Sequence, residues 1–260
     1  MYIQKLSLYI VAMNEEKRLP MVLDSVRGLV DEIVIVDSGS TDRTEEIARA
    51  YGARFVFHEW ESVGHQVKFA EEQCAHRWVM RLDADEVISP ELASRILEVR
   101  EHGSRDGYIF RRGEIYPGLS KPNPLVKCNK LIRLYNRDAF TMSGKIGFDD
   151  VVRVKPGATT EMLRGFLYHY SYISINRMIT KRNLATDRQV ERAVIEGKRY
   201  SPMRMVGTMS LSFLKAFVID RYFLYGYWGY IHSVNYAYMR FQKFSKFYEQ
   251  EQLKIHGYPE

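Results

Sequence analysis

Over the first hundred residues, short apolar runs rich in β-branched and aromatic side chains alternate with stretches of helical spacing. The runs are Lys5 to Ala12 (KLSLYIVA), Asp31 to Val36 (DEIVIV), Ala53 to His58 (ARFVFH) and Trp78 to Leu82 (WVMRL). Between them, Met21, Val22, Leu23, Val26 and Leu29 recur at helical intervals after Pro20, and Gln66 to His76 is a second helical stretch. Such alternation predicts βαβ units and a mostly parallel sheet with helices on its faces. Two further helix starts are legible. Thr41 or Asp42 is placed to cap a helix with Glu45 and Glu46 in its first turn, and Ser89-Pro90-Glu91 opens another with Leu92, Ile96 and Val99 inward.

In parallel sheets, ligands bind beyond the carboxyl ends of the strands. Polar clusters fall at three such ends: Asn14-Glu15 after the first run, Asp37-Ser38-Gly39-Ser40 after the second, and Asp83-Ala84-Asp85-Glu86 after the fourth. Three separated segments therefore point at one crevice. If the backbone stays extended through Asp83-Ala84-Asp85, both carboxylates project to one face and can share a hard divalent cation together with substrate phosphate oxygens. Asp37 has two readings. Its carboxylate can accept a ligand hydrogen, or it can bond the backbone of its own turn.

Composition narrows the class without naming a function. The chain has 260 residues, 46% hydrophobic and 27% charged, which excludes a disordered, collagenous or coiled-coil protein. Two cysteines, Cys74 and Cys128, fit a reducing compartment. Met1-Tyr2-Ile3-Gln4-Lys5 carries no signal-peptide pattern. The net charge of +6 divides unevenly, residues 1–152 holding 21 basic and 24 acidic side chains and residues 153–260 holding 17 and 8. From Gly107 the pattern changes to hairpin-like pieces, Tyr108 to Arg112 and Lys130 to Tyr135, around a Pro/Gly loop.

The segments SLYIVAMNEEKR (Ser7 to Arg18), DEIVIVDSGSTDRT (Asp31 to Thr44) and WVMRLDADE (Trp78 to Glu86) resemble, in order and spacing, the inverting family 2 glycosyltransferases of GT-A fold. The later Tyr168-His169-Tyr170-Ser171-Tyr172 and the aromatic tail are similar to the bacterial branch that adds glucose to the lipopolysaccharide inner core. The resemblance implies an α/β GT-A fold with a C-terminal helical extension. It also implies a UDP-sugar donor, Mg2+ or Mn2+, and a glycolipid or oligosaccharide acceptor. By the same resemblance Val11 and Ala12 line the base pocket, Glu15 sits near the ribose, Asp37 accepts the uracil imide hydrogen, Asp83 approaches ribose and nucleotide, and Asp85 coordinates the cation. Asn14, Ser38 and Ala84 complete the nucleotide-sugar segments. On the residues alone, Glu15 is equally an exposed loop acid, and Glu86 either supports the metal ligands or caps the helix near Ser89.

An inverting displacement needs a base for the acceptor hydroxyl. The resemblance places an acidic residue after the sheet in that role, and Gly147-Phe148-Asp149-Asp150 lies there, with Asp150 nominated and Asp149 the alternative. A plain hairpin turn is the competing reading. His169 either completes the metal site or is a hydrogen-bonded structural residue. Gly64-His65-Gln66-Val67-Lys68 departs from the family's Gly-x-Gln-Lys-Asn, leaving Lys68 as a phosphate contact or a solvated helix lysine.

Fourteen aromatics lie between Ser210 and Tyr248, flanked by Arg204, Lys215, Arg221, Arg240, Lys243 and Lys246. Tyr222 to Met239 is free of Asp, Glu, Lys and Arg, yet polar His232, Ser233 and Asn235 argue for an interfacial helix over a spanning one. The alternative is a helix pair packed on the catalytic domain or on a second copy of the chain. The expected organisation is a catalytic domain over 1–200 and a basic aromatic helical extension over 201–260. The protein would be cytoplasmic, in peripheral contact with the anionic inner face of the cytoplasmic membrane, and without a nucleic-acid partner. Rival functions are a nucleotidyltransferase, which would want a Gly-rich basic loop after the first strand, and a non-catalytic scaffold of the same fold.

Overall fold

Strand β1 (Leu6–Ala12) is apolar on both faces because it is the interior strand of a covered sheet, and six of its seven residues are buried. The computed structural model describes residues 5–145, 149–198 and 203–257. They fall into two compact units, residues 1–115 with 128–171, and residues 116–127 with 172–260. The expected domain boundary at 200/201 lies outside the described residues, as do Gly147, Phe148 and the N-terminal Met1 to Gln4.

In the first unit β1 is followed by α1 (Leu19–Ser25), β2 (Glu32–Asp37), α2 (Thr44–Ala50), β3 (Arg54–Phe57), α3 (Val63–Glu72) and β4 (Trp78–Asp83). Then come β5 (Glu86–Ile88), α4 (Pro90–His102), β6 (Gly107–Glu114), β7 (Asn129–Asn136), β8 (Phe140–Met142), β9 (Val151–Arg153), β10 (Thr160–Met162) and β11 (Leu167–His169). Among the described residues the main sheet has nine strands in the order β3-β2-β1-β4-β7-β6-β11-β5, with β10 also on β6, and β8 and β9 form a separate hairpin. Strands β3, β2, β1 and β4 are mutually parallel, whereas β7 runs antiparallel to both β4 and β6. The chain order reverses at β1, with β2 on one side and β4 on the other, which makes the carboxyl ends of these strands the binding edge.

Two apolar layers enclose the sheet. Leu8, Ile10, Leu19, Leu23, Met80, Leu82 and Ile96 belong to one, and Tyr9, Val34, Val36, Val67, Val79 and Phe140 to the other. Alternate residues of β1 and β4 thus feed opposite layers.

Two helix starts differ from the sequence expectation. Helix α2 begins at Thr44 with Arg43 at its N-cap and no side-chain cap bond; Asp42 instead accepts from the Thr44 amide at 3.0 Å, so its carboxylate closes a local turn. Helix α3 spans Val63–Glu72 in place of 66–76, because Ser62 accepts the His65 amide at 3.2 Å and fixes the earlier start. Ser89 caps α4 as expected, accepting the Leu92 amide at 3.3 Å.

The second unit contains α5 (Ile175–Ile195), α6 (Met203–Leu214), a π-helical turn (Lys215–Ile219), a 3-10 turn (Tyr222–Tyr225) and α7 (Tyr227–His256). The aromatic segment is therefore broken at Gly226 rather than forming one helix from Tyr222. Gly229 is required there, since a Cβ at this position would lie 1.7 Å from the Tyr222 carbonyl oxygen. Rings pack among themselves: Trp228 stacks on Tyr116 with centroids 5.7 Å apart, Tyr222 on His232 at 4.0 Å, and Phe213 on Phe217 at 5.3 Å. Lys246 ties α7 to α5, donating to Asn183 Oδ1 at 2.7 Å and to Asp187 Oδ1 at 2.5 Å. Among the described residues no helix is long and apolar enough to cross a membrane.

Candidate active site

Register alone brings the three polar clusters together. Ala12 pairs with Asp37 across β1 and β2, and Val11 pairs with Asp83 across β1 and β4. With adjacent strands about 4.8 Å apart, the ends of all three strands share one edge.

At that edge Asp37 is 2% exposed and makes the bonds of its own turn, accepting from the Gly39 and Ser40 amides at 2.8 and 2.7 Å and from the Ser40 hydroxyl at 2.5 Å. Gly39 has φ +109°, a conformation that L side chains rarely adopt, so the tight Asp-Ser-Gly-Ser turn depends on it. Asn14 is left-handed at φ 56° and clamps this loop from the β1 side: its amide donates to Ser40 Oγ at 2.7 Å and its Oδ1 accepts the Thr41 amide at 2.9 Å. Ser38 donates its amide to the Ala12 carbonyl at 3.3 Å.

Strand β4 ends at Asp83, and Ala84-Asp85 forms a turn before β5. The two carboxylates therefore do not alternate along one extended face, and they acquire different surroundings. Asp83 Oδ1 accepts from Arg81 at 2.9 Å, and its Oδ2 accepts from Arg133 at 3.0 Å and lies 3.7 Å from Arg112. Burial alone would raise its pKa, but Arg133, Arg81 and Arg112 outweigh burial and hold it far below the usual carboxylate range. Glu86 is fully buried, receives Arg133 at 2.6 Å and Arg112 at 3.1 Å, and accepts the Asp83 amide at 3.0 Å. It fastens the turn from below and does not cap α4, where Ser89 has that role.

Asp85 faces His169, whose Nε2 lies 3.5 Å from Asp85 Oδ1 while its Nδ1 is 2.9 Å from Glu114 Oε1. Burial would lower the His169 pKa, yet bonds to Asp85 and Glu114 raise it to about 9. Against its own burial, Glu114 is pulled down to about 2 by His169 first and then Ser171. Arg18 reaches Asp85 Oδ2 at 3.4 Å and is gripped by Glu15 through two bonds, so Glu15 acts here on Arg18.

Among the described residues no group of three or more His, Cys, Asp or Glu side chains is placed to hold a metal ion. Asp85 and His169 do form a carboxylate and imidazole pair with a Glu behind the imidazole, the support that a metal-bound histidine commonly has. Two protein ligands suit an ion that takes its remaining oxygens from a diphosphate. Asp83 is turned to its arginines instead.

Asp149 is tied to the same cluster: Arg81 Nη2 donates to its Oδ2 at 3.0 Å and Nη1 to its carbonyl at 2.9 Å. Asp150 is exposed, and among the described residues its carboxylate has no ion-pair partner. Lys68 donates to Glu71 Oε2 at 2.8 Å and to Thr141 Oγ1 at 2.7 Å, which makes it part of a buried polar network and not a solvated lysine. Sequence reasoning missed Arg18, Arg81, Arg112, Arg133 and Glu114. Arg81 had a signal, a charge inside an apolar strand beside the acidic motif, where only a paired side chain is tolerated.

Residues 7–151 match the glycosyl transferase family 2. An uncharacterized glycosyltransferase of Rickettsia typhi is 34% identical over 255 residues, covering 95% of this chain and 87% of that protein. The lipopolysaccharide core biosynthesis glycosyltransferase LpsC of Rhizobium meliloti is 28% identical over 260 residues, covering 96% and 94%. Residues 1–349 of S. aureus TarS superpose with a TM-score of 0.47 at 17% identity, covering 98% of this chain and 92% of that one. With more than half its length matched to the family and relatives alike along nearly their whole extent, the chain belongs to glycosyl transferase family 2 and has its GT-A fold.

Proposed function

We propose that the chain is an inverting, divalent-metal-dependent hexosyltransferase that moves glucose from a UDP-sugar to a saccharide acceptor of the lipopolysaccharide core or a related cell-envelope glycan. The observation that carries this is the convergence of Val11-Ala12, Asp37 and Asp83-Ala84-Asp85 on three adjacent strand ends, with His169 facing Asp85. The core-biosynthesis name of the Rhizobium meliloti relative supports the acceptor class.

Val11, Ala12, Asn14 and Ser38 would frame the base. Asp37, already the acceptor of its own turn, would take the uracil imide hydrogen on a remaining lone pair. Asp85 and His169 would hold Mg2+ or Mn2+, which offsets negative charge on a departing diphosphate. Asp83 and Glu86 hold Arg112 and Arg133 beneath this edge. Asp150 would take the proton of the acceptor hydroxyl as its oxygen attacks the anomeric carbon from the face opposite the leaving UDP. Asp149 already accepts from Arg81, which commits its carboxylate to holding the loop and leaves Asp150 as the one open to an acceptor hydroxyl. The acceptor's anchorage would place the enzyme at the inner face of the cytoplasmic membrane.

The test is UDP release from UDP-glucose, UDP-galactose and UDP-N-acetylglucosamine with and without Mn2+. Turnover preferring UDP-glucose and abolished by chelation supports the proposal, and pyrophosphate as product would redirect it to nucleotidyl transfer. Asp150→Asn should abolish transfer while leaving thermal stabilisation by the UDP-sugar intact; near-normal turnover would remove Asp150 as the base.

A further inference from the structure

Helix α6 and the π-helical turn after it display a continuous apolar surface. Met203, Val206, Leu211, Leu214, Val218 and Ile219 are 52–78% exposed, and no residue of α6 is buried. At 100° per residue, positions 203, 206, 207, 210, 211 and 214 lie on one side of α6, and the one polar side chain among them is Ser210. Next in the chain after the π turn, Phe223 is 45% exposed and Tyr227 89% exposed. Nearly the whole of this face is aliphatic, whereas the tail's aromatics mostly engage one another. Phe213 and Phe217 meet Tyr230 edge-on at 5.7 and 6.2 Å, and Tyr116 contacts both Trp228 and Tyr225.

The charge around this face has one sign. The second unit holds 16 basic and 7 acidic side chains. Between Met203 and Tyr248 the lone acid is Asp220, and its carboxylate is taken by Lys215 at 2.6 Å and Lys127 at 3.4 Å. Arg204 and Arg221 are exposed at the two ends of the apolar stretch. A second copy of the chain would set this basic rim against another basic rim, and an anionic surface would neutralise it. An apolar stripe bordered by cationic side chains and closed by Tyr and Phe is the design of a helix lying in a headgroup layer.

We propose that the α6 face, from Met203 to Ile219, is a membrane-docking surface that inserts its aliphatic side chains into the headgroup and acyl boundary of an anionic bilayer, with Arg204 and Arg221 on lipid phosphates. This deepens the glycolipid-acceptor reading above and rests on it only for the identity of the membrane. The aromatic segment after Tyr222 acts as the scaffold behind the inserted helix.

The test uses the full chain and sedimentation with vesicles of phosphatidylcholine alone or with about one third phosphatidylglycerol. The wild type should pellet with the anionic vesicles and lose them at high salt. Val206→Asp with Leu211→Asp should weaken this at least about ten-fold, while Val206→Leu with Leu211→Met retains it. Both pairs occupy exposed positions, and an unchanged far-UV spectrum checks that the variants fold. Equal vesicle binding by the aspartate pair overturns the proposal. So does a wild type that ignores vesicles but dimerises through this face, with the aspartate pair monomeric. UDP-sugar hydrolysis in detergent-free solution reads the catalytic proposal separately, so vesicle binding without turnover leaves the docking surface standing and removes the other.

Discussion

Arg81 holds Asp149 by two bonds, Nη1 on the backbone carbonyl at 2.9 Å and Nη2 on Oδ2 at 3.0 Å. The same Nη2 reaches Asp83 Oδ1 at 2.9 Å. One buried guanidinium therefore fixes the loop beside the nominated base to the end of the strand carrying the acidic motif. Arg81→Lys keeps the charge but replaces a planar fork with a single flexible ammonium, which cannot make all three contacts. Asp83 would still be held by Arg133 and Arg112. A displacement of about 1 Å in the loop is worth on the order of 100-fold in rate. The expected outcome is a fall of that size in kcat with little change in donor KM, read by steady-state UDP release. A loss confined to KM would place Arg81 in donor binding instead.

Glu71 is 1% exposed and accepts four bonds, from Tyr135 Oη at 2.6 Å, the Met142 amide at 3.0 Å, Thr141 Oγ1 at 2.6 Å and Lys68 Nζ at 2.8 Å. Only a carboxylate presents acceptors to all four donors. Glu71→Gln would aim an NH2 group at donors on one side and leave Lys68 with Glu72 at 3.5 Å as its remaining carboxylate, for a loss of about 1–3 kcal/mol. Urea unfolding should show a lower midpoint with an unchanged slope. By the same logic Lys68→Met should cost stability more than donor affinity, and a large rise in donor KM would restore Lys68 as a phosphate contact.

Much of the first unit was legible because parallel-strand burial writes itself into the sequence as apolar runs, and strand-end function as polar clusters immediately after them. Val11, Ala12, Asp37 and Asp83 could be assigned to one edge before any register was known. The split between Asp83 and Asp85 could not. It depends on a turn at Ala84 and on Arg112 and Arg133, which arrive from β6 and β7, strands distant in sequence. The sequence around Glu15 fits a ligand or a free loop acid equally, and its grip on Arg18 follows from a three-residue separation that looks unremarkable in a charged segment. In the second unit the aromatic content was visible, but which side chains face outward was not. That depends on the break at Gly226 and the close approach of Tyr222 to Gly229, both tertiary facts.

The two thiols should differ sharply in reactivity. Cys74 is buried, and desolvation pushes its pKa up to about 12, whereas Cys128 is partly exposed. The thiolate is the nucleophile, so Cys74 is inert at neutral pH in the folded state. A disulfide reagent at pH 8 should titrate one thiol rapidly in the native protein and the second only in denaturant. Cys128→Ser should abolish the fast phase, and two equally fast thiols would contradict the burial of Cys74.

Acid sensitivity should trace in part to Glu32, which joins the N-terminal end of β2 to the segment after α3. Burial would raise its pKa, but bonds from Ser7 Oγ at 2.5 Å, the Ala75 amide at 2.8 Å and Arg54 at 3.4 Å outweigh it, and the folded value lies below the ordinary 4.5. The unfolded chain then binds this proton more readily than the folded one. The contribution is complete above about pH 4.5, the unfolded value, and is lost as pH falls through the folded one. Glu32→Gln should therefore lower stability at neutral pH and flatten its decline on the acid side, as followed by urea midpoints from pH 7 downward. A variant whose stability falls as steeply as the wild type's below pH 4.5 would show that Glu32 does not set the acid limb.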